Sequence, residues 1–196
     1  MSGAEGAPPD SDTGAAEKSI WLNGVGSGYV ENARMLDLKF TRGVGVTYFG
    51  GNVSHDVWLG RVGFAQSVKD AWAPDRWYGG NLLFTAEIMA GAQDTPDTAY
   101  LVFGTSGVRY DFSTMGRIVP YTGLVIGAGV TGIGEPDLSE GIQFTEQAEI
   151  GLRYYFNERF SAIASIGYMH ISNGGRAKPN AGVNAYLISI GIGWAL

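Results

Sequence analysis

The chain has 196 residues, enough for one domain, and its hydrophobic content of 45% would suit an ordinary soluble protein. Its net charge of −6 argues against a nucleic-acid partner, and its lack of cysteine excludes disulfides, thiolate metal sites and thiol nucleophiles. Two features depart from the soluble average, namely 31 glycines and a charged content of only 16%. Both are typical of a small barrel, whose narrow interior favours glycine and whose outer wall excludes charge.

The first 33 residues carry no clear strand pattern. Residues 1–18 are small, polar and proline-containing, which predicts a disordered leader, and they lack the basic and apolar regions of a signal peptide. An outer-membrane location therefore predicts that the numbered chain is a processed or engineered form. Residues 19–33 fit either an ordered plug or an extra strand segment, and the sequence does not decide between them.

From residue 34 to residue 196 the pattern has a period of two, which predicts strands. No apolar run approaches the ~18 residues of a membrane-spanning helix, so only a closed barrel could span a membrane. The predicted fold is an all-β, eight-stranded, antiparallel up-and-down transmembrane β-barrel with both ends on the periplasmic side. Its strands are predicted at 34–50, 55–68, 79–92, 98–112, 117–132, 142–156, 160–172 and 184–196.

The apolar face falls on even-numbered positions in all eight strands, which predicts that these side chains contact lipid. Arg42 is an exception, because a cation facing hydrocarbon costs roughly 2–4 kcal/mol at the midplane. It needs a bulge, an interfacial position or a partner. The inward charges have both signs and predict a salt-bridged plug and not a pore. They are Asp37, Lys39, Arg61, Glu87, Arg109, Asp111, Glu149 and Arg153.

A soluble β-sandwich is the alternative fold, because its strands also alternate and bury their apolar faces against a second sheet. Aromatic residues at strand ends favour the barrel, since Trp and Tyr concentrate at membrane interfaces. They include Trp58, Trp77, Tyr78 and Trp194.

One segment carries a chemical motif, His170-Ile171-Ser172-Asn173-Gly174-Gly175, followed by Pro179-Asn180-Ala181-Gly182. This pattern resembles the signature of the lipid A 3-O-deacylase (PagL-type acyloxyacyl hydrolase) family: His-x-Ser-Asn on the penultimate strand, then a Pro-Asn-x-Gly loop. The likeness spans about residues 34–196 and is most distinctive in the final third. The runs Pro136-Asp137-Leu138-Ser139, Phe144-Thr145-Glu146-Gln147, Pro120-Tyr121 and Gly127-Ala128-Gly129 are also similar to a branch of that family.

The residues themselves support the same interpretation. His170 and Ser172 continue the outward, apolar face of the seventh strand, where an acyl chain lying against the wall can meet them. Side chains at i and i+2 lie ~6.6 Å apart at Cα, and two converging side chains can close that gap. A neutral imidazole is the usual base that activates a serine hydroxyl. The alternative is that both are ordinary polar residues of the rim.

A serine-histidine pair usually needs a third group that orients the imidazole. The resemblance implies a glutamate near the start of the last strand, but the matching position is Asn184, which can orient the ring without supplying an anion. Counting outward from the turn at 157–159 sets Glu146 opposite His170. Glu146 is therefore predicted either to orient or charge His170, or to be a solvated rim carboxylate.

Asn173 resembles the family residue that helps to hold the oxyanion, through its side chain or nearby backbone N–H groups, and it also suits a turn. His55 and Asp56 form either a second catalytic pair or, more simply, rim hydrogen bonds. The sequence has no metal-ligand spacing and no phosphate-cradling loop, so no metal and no cofactor are predicted.

The resemblance implies an outer-membrane esterase that removes the 3-linked acyl chain of lipid A, with Ser172 as nucleophile and His170 as base. Lipopolysaccharide and outer-membrane lipids are then the partners, and the oligomeric state stays open, homo-oligomers included. With a periplasmic N-terminus, the seventh strand ends at the extracellular rim. The alternatives are a phospholipase-type acyl hydrolase and a structural or adhesive barrel without activity.

Overall fold

The computed structural model describes residues 19–196, and the leader predicted for residues 1–18 lies outside them. Eight antiparallel strands form a closed barrel in which each strand pairs with the next and β8 pairs with β1. The predicted fold is therefore confirmed. Among residues 19–196, no helix is long and apolar enough to cross a membrane. The strands are β1 Arg34–Val46, β2 Asp56–Ser67, β3 Gly80–Thr95, β4 Ala99–Phe112, β5 Ile118–Thr131, β6 Gln143–Tyr155, β7 Phe160–Ser172 and β8 Val183–Ala195.

The predicted strand ends differ from the observed ones mainly around the first rim loop. β1 ends at Val46 and not at residue 50, because Gly50 and Gly51 adopt positive φ angles of 113° and 87° and turn the chain back over the rim. β3 continues to Thr95, beyond the predicted residue 92, and Thr95 pairs with Asp56 across a register shift in β2. We call the end of the barrel with loops 47–55, 96–98, 132–142 and 173–182 the upper rim.

The outward face has the predicted parity. Leu38 and Ile126, for example, are 54% and 67% exposed, as lipid-facing side chains must be in the isolated chain. Arg42 is compensated by partners: its guanidinium donates to Asp56 at 2.7 Å and to Asp94 at 2.9 Å, and it lies 4.5 Å from the centre of the Trp58 ring. Of the three possibilities that the sequence offered, a partner is therefore present.

The lumen is filled in three layers. Below the upper rim lies an apolar cluster that includes Leu59, Phe103, Met169 and Ile171. The middle layer is charged. At the opposite end, a second apolar cluster joins strand residues such as Met35 to residues 19–33. Because side chains fill the lumen, the barrel wall and its upper rim are the surfaces left for chemistry.

The middle layer is the predicted network of mixed charge. Lys39 lies 3.3 Å from Glu87 and 3.2 Å from Glu149, and Arg61 lies 2.6 Å from Glu87. Nearer the lower end, Asp37 accepts from Arg109 at 2.9 Å and from Arg153 at 2.7 Å. Each buried charge thus has a partner of opposite sign, which buried ions require.

Residues 19–33 are ordered and close the lower end of the lumen. Trp21 and Tyr29 are 3% and 1% exposed and pair with each other as a short bridge. The Tyr29 hydroxyl lies 2.7 Å from that of Tyr155 and donates to Asp111 at 3.1 Å. Of the two interpretations that the sequence left open, these contacts match the plug.

Candidate active site

His170 and Ser172 lie at the upper end of β7, at the even positions that carry exposed Ile166 lower on the same strand. Both are half-buried. In the adjacent strands, His170 is paired with Asn184 of β8 and Glu146 of β6, and Ser172 is paired with Phe144 of β6. The register counted from the 157–159 turn is therefore correct.

The side-chain amide of Asn184 is held in one orientation by three contacts. Its Nδ2 donates to the carbonyl of Gly50 at 3.1 Å, so its Oδ1 faces the other way. There Oδ1 accepts from the Tyr168 hydroxyl at 2.5 Å and lies 2.7 Å from His170 Nδ1. An amide oxygen only accepts, so Nδ1 must carry the proton and Nε2 keeps its lone pair. This is the tautomer that a general base needs.

Gly182 leaves the room that the imidazole occupies. A Cβ added at residue 182 would lie 2.7 Å from His170 Cε1, closer than carbon atoms approach one another. The φ angle of Gly182 is also positive, at 90°, a conformation that side-chain-bearing residues rarely adopt. Glycine therefore fits beside His170 at this position of the Pro-Asn-x-Gly loop, where a larger residue would clash with the ring.

The Ser172 hydroxyl is close to an exposed backbone donor, because the N–H of Gly174 lies 3.4 Å from its Oγ. Among residues 19–196, no hydrogen bond joins Ser172 to His170, so their approach would have to tighten when substrate binds, as apo catalytic contacts commonly do.

Asn173 needs a correction with respect to its side chain. The residue is 2% exposed and faces inward, where its Nδ2 donates to Ser139 Oγ at 2.7 Å and to the Ala177 carbonyl at 2.8 Å. Its backbone N–H donates to Asn180 at 2.8 Å. The Asn173 amide therefore shapes loop 173–182, and the backbone donor next to Ser172 Oγ is the N–H of Gly174.

Glu146 lies opposite His170 in register, as predicted, but it does not orient the ring in this structure. The side chain is exposed, and no hydrogen bond or ion pair connects it to His170 within residues 19–196. Nδ1 of His170 is already bonded to Asn184. The orienting function that the sequence offered to either residue therefore falls to Asn184.

His55 is not paired with Asp56. Its ring is 4% exposed, and its Nδ1 and Nε2 lie 2.6 Å from Gln93 Oε1 and 2.8 Å from Asp137 Oδ2. Asp56 instead binds Arg42 and the N–H of Gly45. Of the two interpretations of His55, the structural hydrogen bond fits, and a second catalytic pair with Asp56 does not form.

Asp137 connects three loops of the upper rim. Its carboxylate accepts from the backbone N–H groups of Asn52 and Val53, in loop 47–55, and its backbone carbonyl accepts from Ala181 and Gly182. Burial alone would raise the pKa of Asp137, but the bonds from His55, Asn52 and Val53 outweigh it and lower the pKa below its ordinary value of 3.8. The carboxylate of Asp137 therefore anchors loop 47–55, and its backbone carbonyl anchors the loop that carries Gly182.

Sequence reasoning missed the contributions of Tyr168, Gly50 and Asp137. Tyr168 had the right parity, two positions before His170, but a tyrosine on a lipid face is ordinarily an interfacial aromatic. Gly50 lies 134 residues from Asn184, and Asp137 lies 44 and 45 residues from Ala181 and Gly182, separations that no periodic pattern reports. In the described part of the chain, no cluster of three His, Asp or Glu side chains could hold a metal ion.

The chain matches a known protein family. A family profile described as "Lipid A 3-O-deacylase (PagL)" matches residues 58–193, a range that includes His170, Ser172 and Asn184. The chain belongs to the lipid A 3-O-deacylase (PagL) family. No curated protein sequence matches the chain significantly.

Solved structures agree on the fold. The crystal structure of the outer membrane enzyme PagL superposes with a TM-score of 0.60 at 18% identity, covering 79% of this chain and 97% of that one. Neisserial surface protein A superposes with a TM-score of 0.61 at 15% identity, covering 82% and 96%. At such identities the likeness concerns the barrel, and the PagL family assignment comes from the profile. Gly50 and His55 precede the range that the PagL profile matches.

Proposed function

We propose that this chain is an outer-membrane esterase that removes the 3-O-linked acyl chain of lipid A, with Ser172 as nucleophile and His170 as general base. The observation that carries the proposal is the locked amide of Asn184. It holds His170 Nδ1 at 2.7 Å and leaves Nε2 as the free base next to a serine of the same strand face. Membership of the PagL family supports the substrate.

The reaction would proceed in two halves. His170 Nε2 takes the Ser172 proton as Oγ attacks the ester carbonyl. The N–H of Gly174, which donates to Ser172 Oγ at 3.4 Å in the resting site, would turn to the resulting oxyanion. Collapse breaks the bond to the sugar oxygen, which leaves as the alcohol with the proton from His170. Water, deprotonated by His170, then attacks the acyl-serine, and the products are a fatty acid and regenerated Ser172.

The wall below the pair suits an acyl chain. A shallow groove of about 500 Å³ lies just below the pair and crosses strands β5 to β8 at the level of Tyr168 and Ile166, where Ala148 has a small side chain. Its lining is apolar apart from Thr122 and Glu149. An acyl chain seated there would bring its ester to the level of His170 and Ser172, which lie two and four residues above Tyr168 on the same face of β7. The pair would then meet substrate from the bilayer and not from water.

The experiment is mass spectrometry of lipid A from cells that produce the wild-type protein or Ser172→Ala. The wild type should remove one 3-linked acyl chain and Ser172→Ala should remove none, with both barrels folded in the membrane. Ser106→Ala is the matched control, because Ser106 is also exposed on the outward wall, at the same level but on β4, three strands from β7. Phospholipid cleavage with unchanged lipid A would favour a phospholipase instead. No lipid change with any variant would favour a structural barrel.

A further inference from the structure

The guanidinium of Arg176 is held beside the nucleophile by three fixed contacts. Its Nε donates to the carbonyl of Asn173 at 3.1 Å, and its Nη2 donates to the carbonyl of Ile142 at 2.8 Å. Its Cζ lies 4.8 Å from the centre of the Phe144 ring. Phe144 is the register partner of Ser172, and Asn173 is its neighbour in the chain. The guanidinium therefore sits at the level of Ser172, one strand away.

This cation has no anionic partner in the described part of the chain. Both of its hydrogen bonds go to neutral carbonyls, and its Nη1 has no hydrogen-bond partner among residues 19–196. Glu140 and Glu146 lie on the same rim, but neither forms an ion pair with it. By contrast, Arg42, Arg61, Arg109 and Arg153 each bind at least one carboxylate.

Resting on the proposed function, we propose that Arg176 binds a phosphate group of the glycolipid headgroup and thereby sets the position of the scissile ester. A planar guanidinium whose Nε and Nη2 are used for anchoring presents its remaining N–H groups in a fixed direction. Phosphate oxygens are the acceptors that this geometry favours. The cation lies at the rim, where a headgroup would be, while the acyl groove lies lower on the wall, at the level of Tyr168 and Ile166. Headgroup and acyl chain would thus be held at the two ends of the ester.

Arg176 also has a structural contribution, because its two carbonyl contacts join loop 173–182 to loop 132–142. A merely structural residue would affect every substrate alike. A phosphate-binding residue would affect only substrates that carry phosphate. The test therefore compares two substrates in one protein, not two proteins on one substrate.

The experiment measures deacylation in lipid bilayers containing either a phosphorylated lipid A or the same glycolipid after enzymatic removal of its phosphates. For Arg176→Gln, KM on the phosphorylated substrate should rise about tenfold with little change in kcat, as expected for loss of one exposed charge-assisted bond. On the dephosphorylated substrate, Arg176→Gln should lose far less, because only the two loop contacts are removed. Arg176→Lys should recover part of the affinity, because lysine keeps the positive charge but lacks the paired N–H donors of the planar guanidinium.

Lys178→Gln is the matched control, since it removes the same charge from the same exposed loop and has no fixed contact with Phe144 or Asn173. It should change KM less than twofold on either substrate. Equal losses on both substrates for Arg176→Gln would overturn the inference and assign Arg176 to loop structure. Competition by inorganic phosphate with equal KM for both substrates would indicate a free-anion site, which also overturns it. If wild type cleaves neither substrate, the proposed function itself fails, and that result is distinct from the other two.

Discussion

Asn184 differs from a carboxylate in one respect that matters for the histidine beside it. Both can accept a hydrogen bond from Nδ1 and so orient the ring, but only an anion stabilises the imidazolium that would form during catalysis. The orientation of the His170 ring is nevertheless secured, since Tyr168 and the Gly50 carbonyl hold the Asn184 amide in place. The structure supplies no carboxylate bonded to His170 among residues 19–196, and Glu146 lies across the strand pair without contact.

We therefore expect Asn184→Leu to reduce kcat much more than Glu146→Gln. Leucine cannot accept from Nδ1, and the ring would lose both its orientation and its tautomer, at a cost of roughly 100-fold or more in kcat. Glu146→Gln removes only a solvated charge that makes no hydrogen bond or ion pair with His170, and it should cost less than about fivefold. Steady-state kinetics in bilayers, with folded protein verified by its strand signal in circular dichroism, compares the two. A larger loss for Glu146→Gln would return the orienting function to the carboxylate.

The register of β6 against β7 could be predicted because the turn at 157–159 is short and the alternation on both strands is regular. Phe156 donates to Phe160 across that turn, and each later pair follows by counting. The interaction of His55 with Asp137 spans 82 residues and joins irregular loops, so no pattern predicted it. Asn173 was assigned to the oxyanion from the motif, although its odd number already placed its side chain inward.

At the scale of the upper rim, Asp137 couples loop 47–55 to loop 173–182. One carboxylate satisfies buried donors from His55, Asn52 and Val53, and the backbone of the same residue holds Ala181 and Gly182. Gly182 in turn packs against the ring of His170. The position of the His170 ring is therefore linked, through Gly182 and the backbone of Asp137, to the loop that the buried carboxylate holds.

Asp137→Asn should loosen these loops by about 1–3 kcal/mol, because its NH₂ group would oppose N–H donors that the carboxylate accepted. Hydrogen exchange of the Asn52 and Val53 amides should accelerate, and kcat should fall while the barrel stays folded. Unaltered exchange at these two amides would contradict the coupling.

The pH dependence follows from the same carboxylate. Because the pKa of Asp137 is lowered in the folded protein, its stabilisation is complete above the ordinary value of 3.8 and is lost only as the pH falls through the lower, folded value. Protection of the Asn52 and Val53 amides should thus stay constant from about pH 5 to pH 8, after correction for the intrinsic exchange rate. Loss of protection within that range would show that another group controls the loops.

For the whole molecule, the filling of the barrel decides which surface can be an active site. The lumen holds an apolar layer, a charge-paired layer and the plug of residues 19–33, so no substrate of lipid size fits inside. The outward wall is apolar and has the parity of a lipid-facing surface, with His170 and Ser172 at its upper end. On the proposed function, the substrate would therefore reach His170 and Ser172 from the membrane that surrounds the barrel.

The most direct test is covalent trapping of the nucleophile from within a bilayer. The purified protein is reconstituted in phospholipid vesicles that contain a long-chain alkyl phosphonate ester, and the adduct is located by peptide mass spectrometry. We predict one adduct, on Ser172, that is lost in His170→Ala. A short-chain, water-soluble phosphonate should give a far weaker adduct. Absence of an adduct on Ser172, or labelling that does not depend on His170, would contradict it.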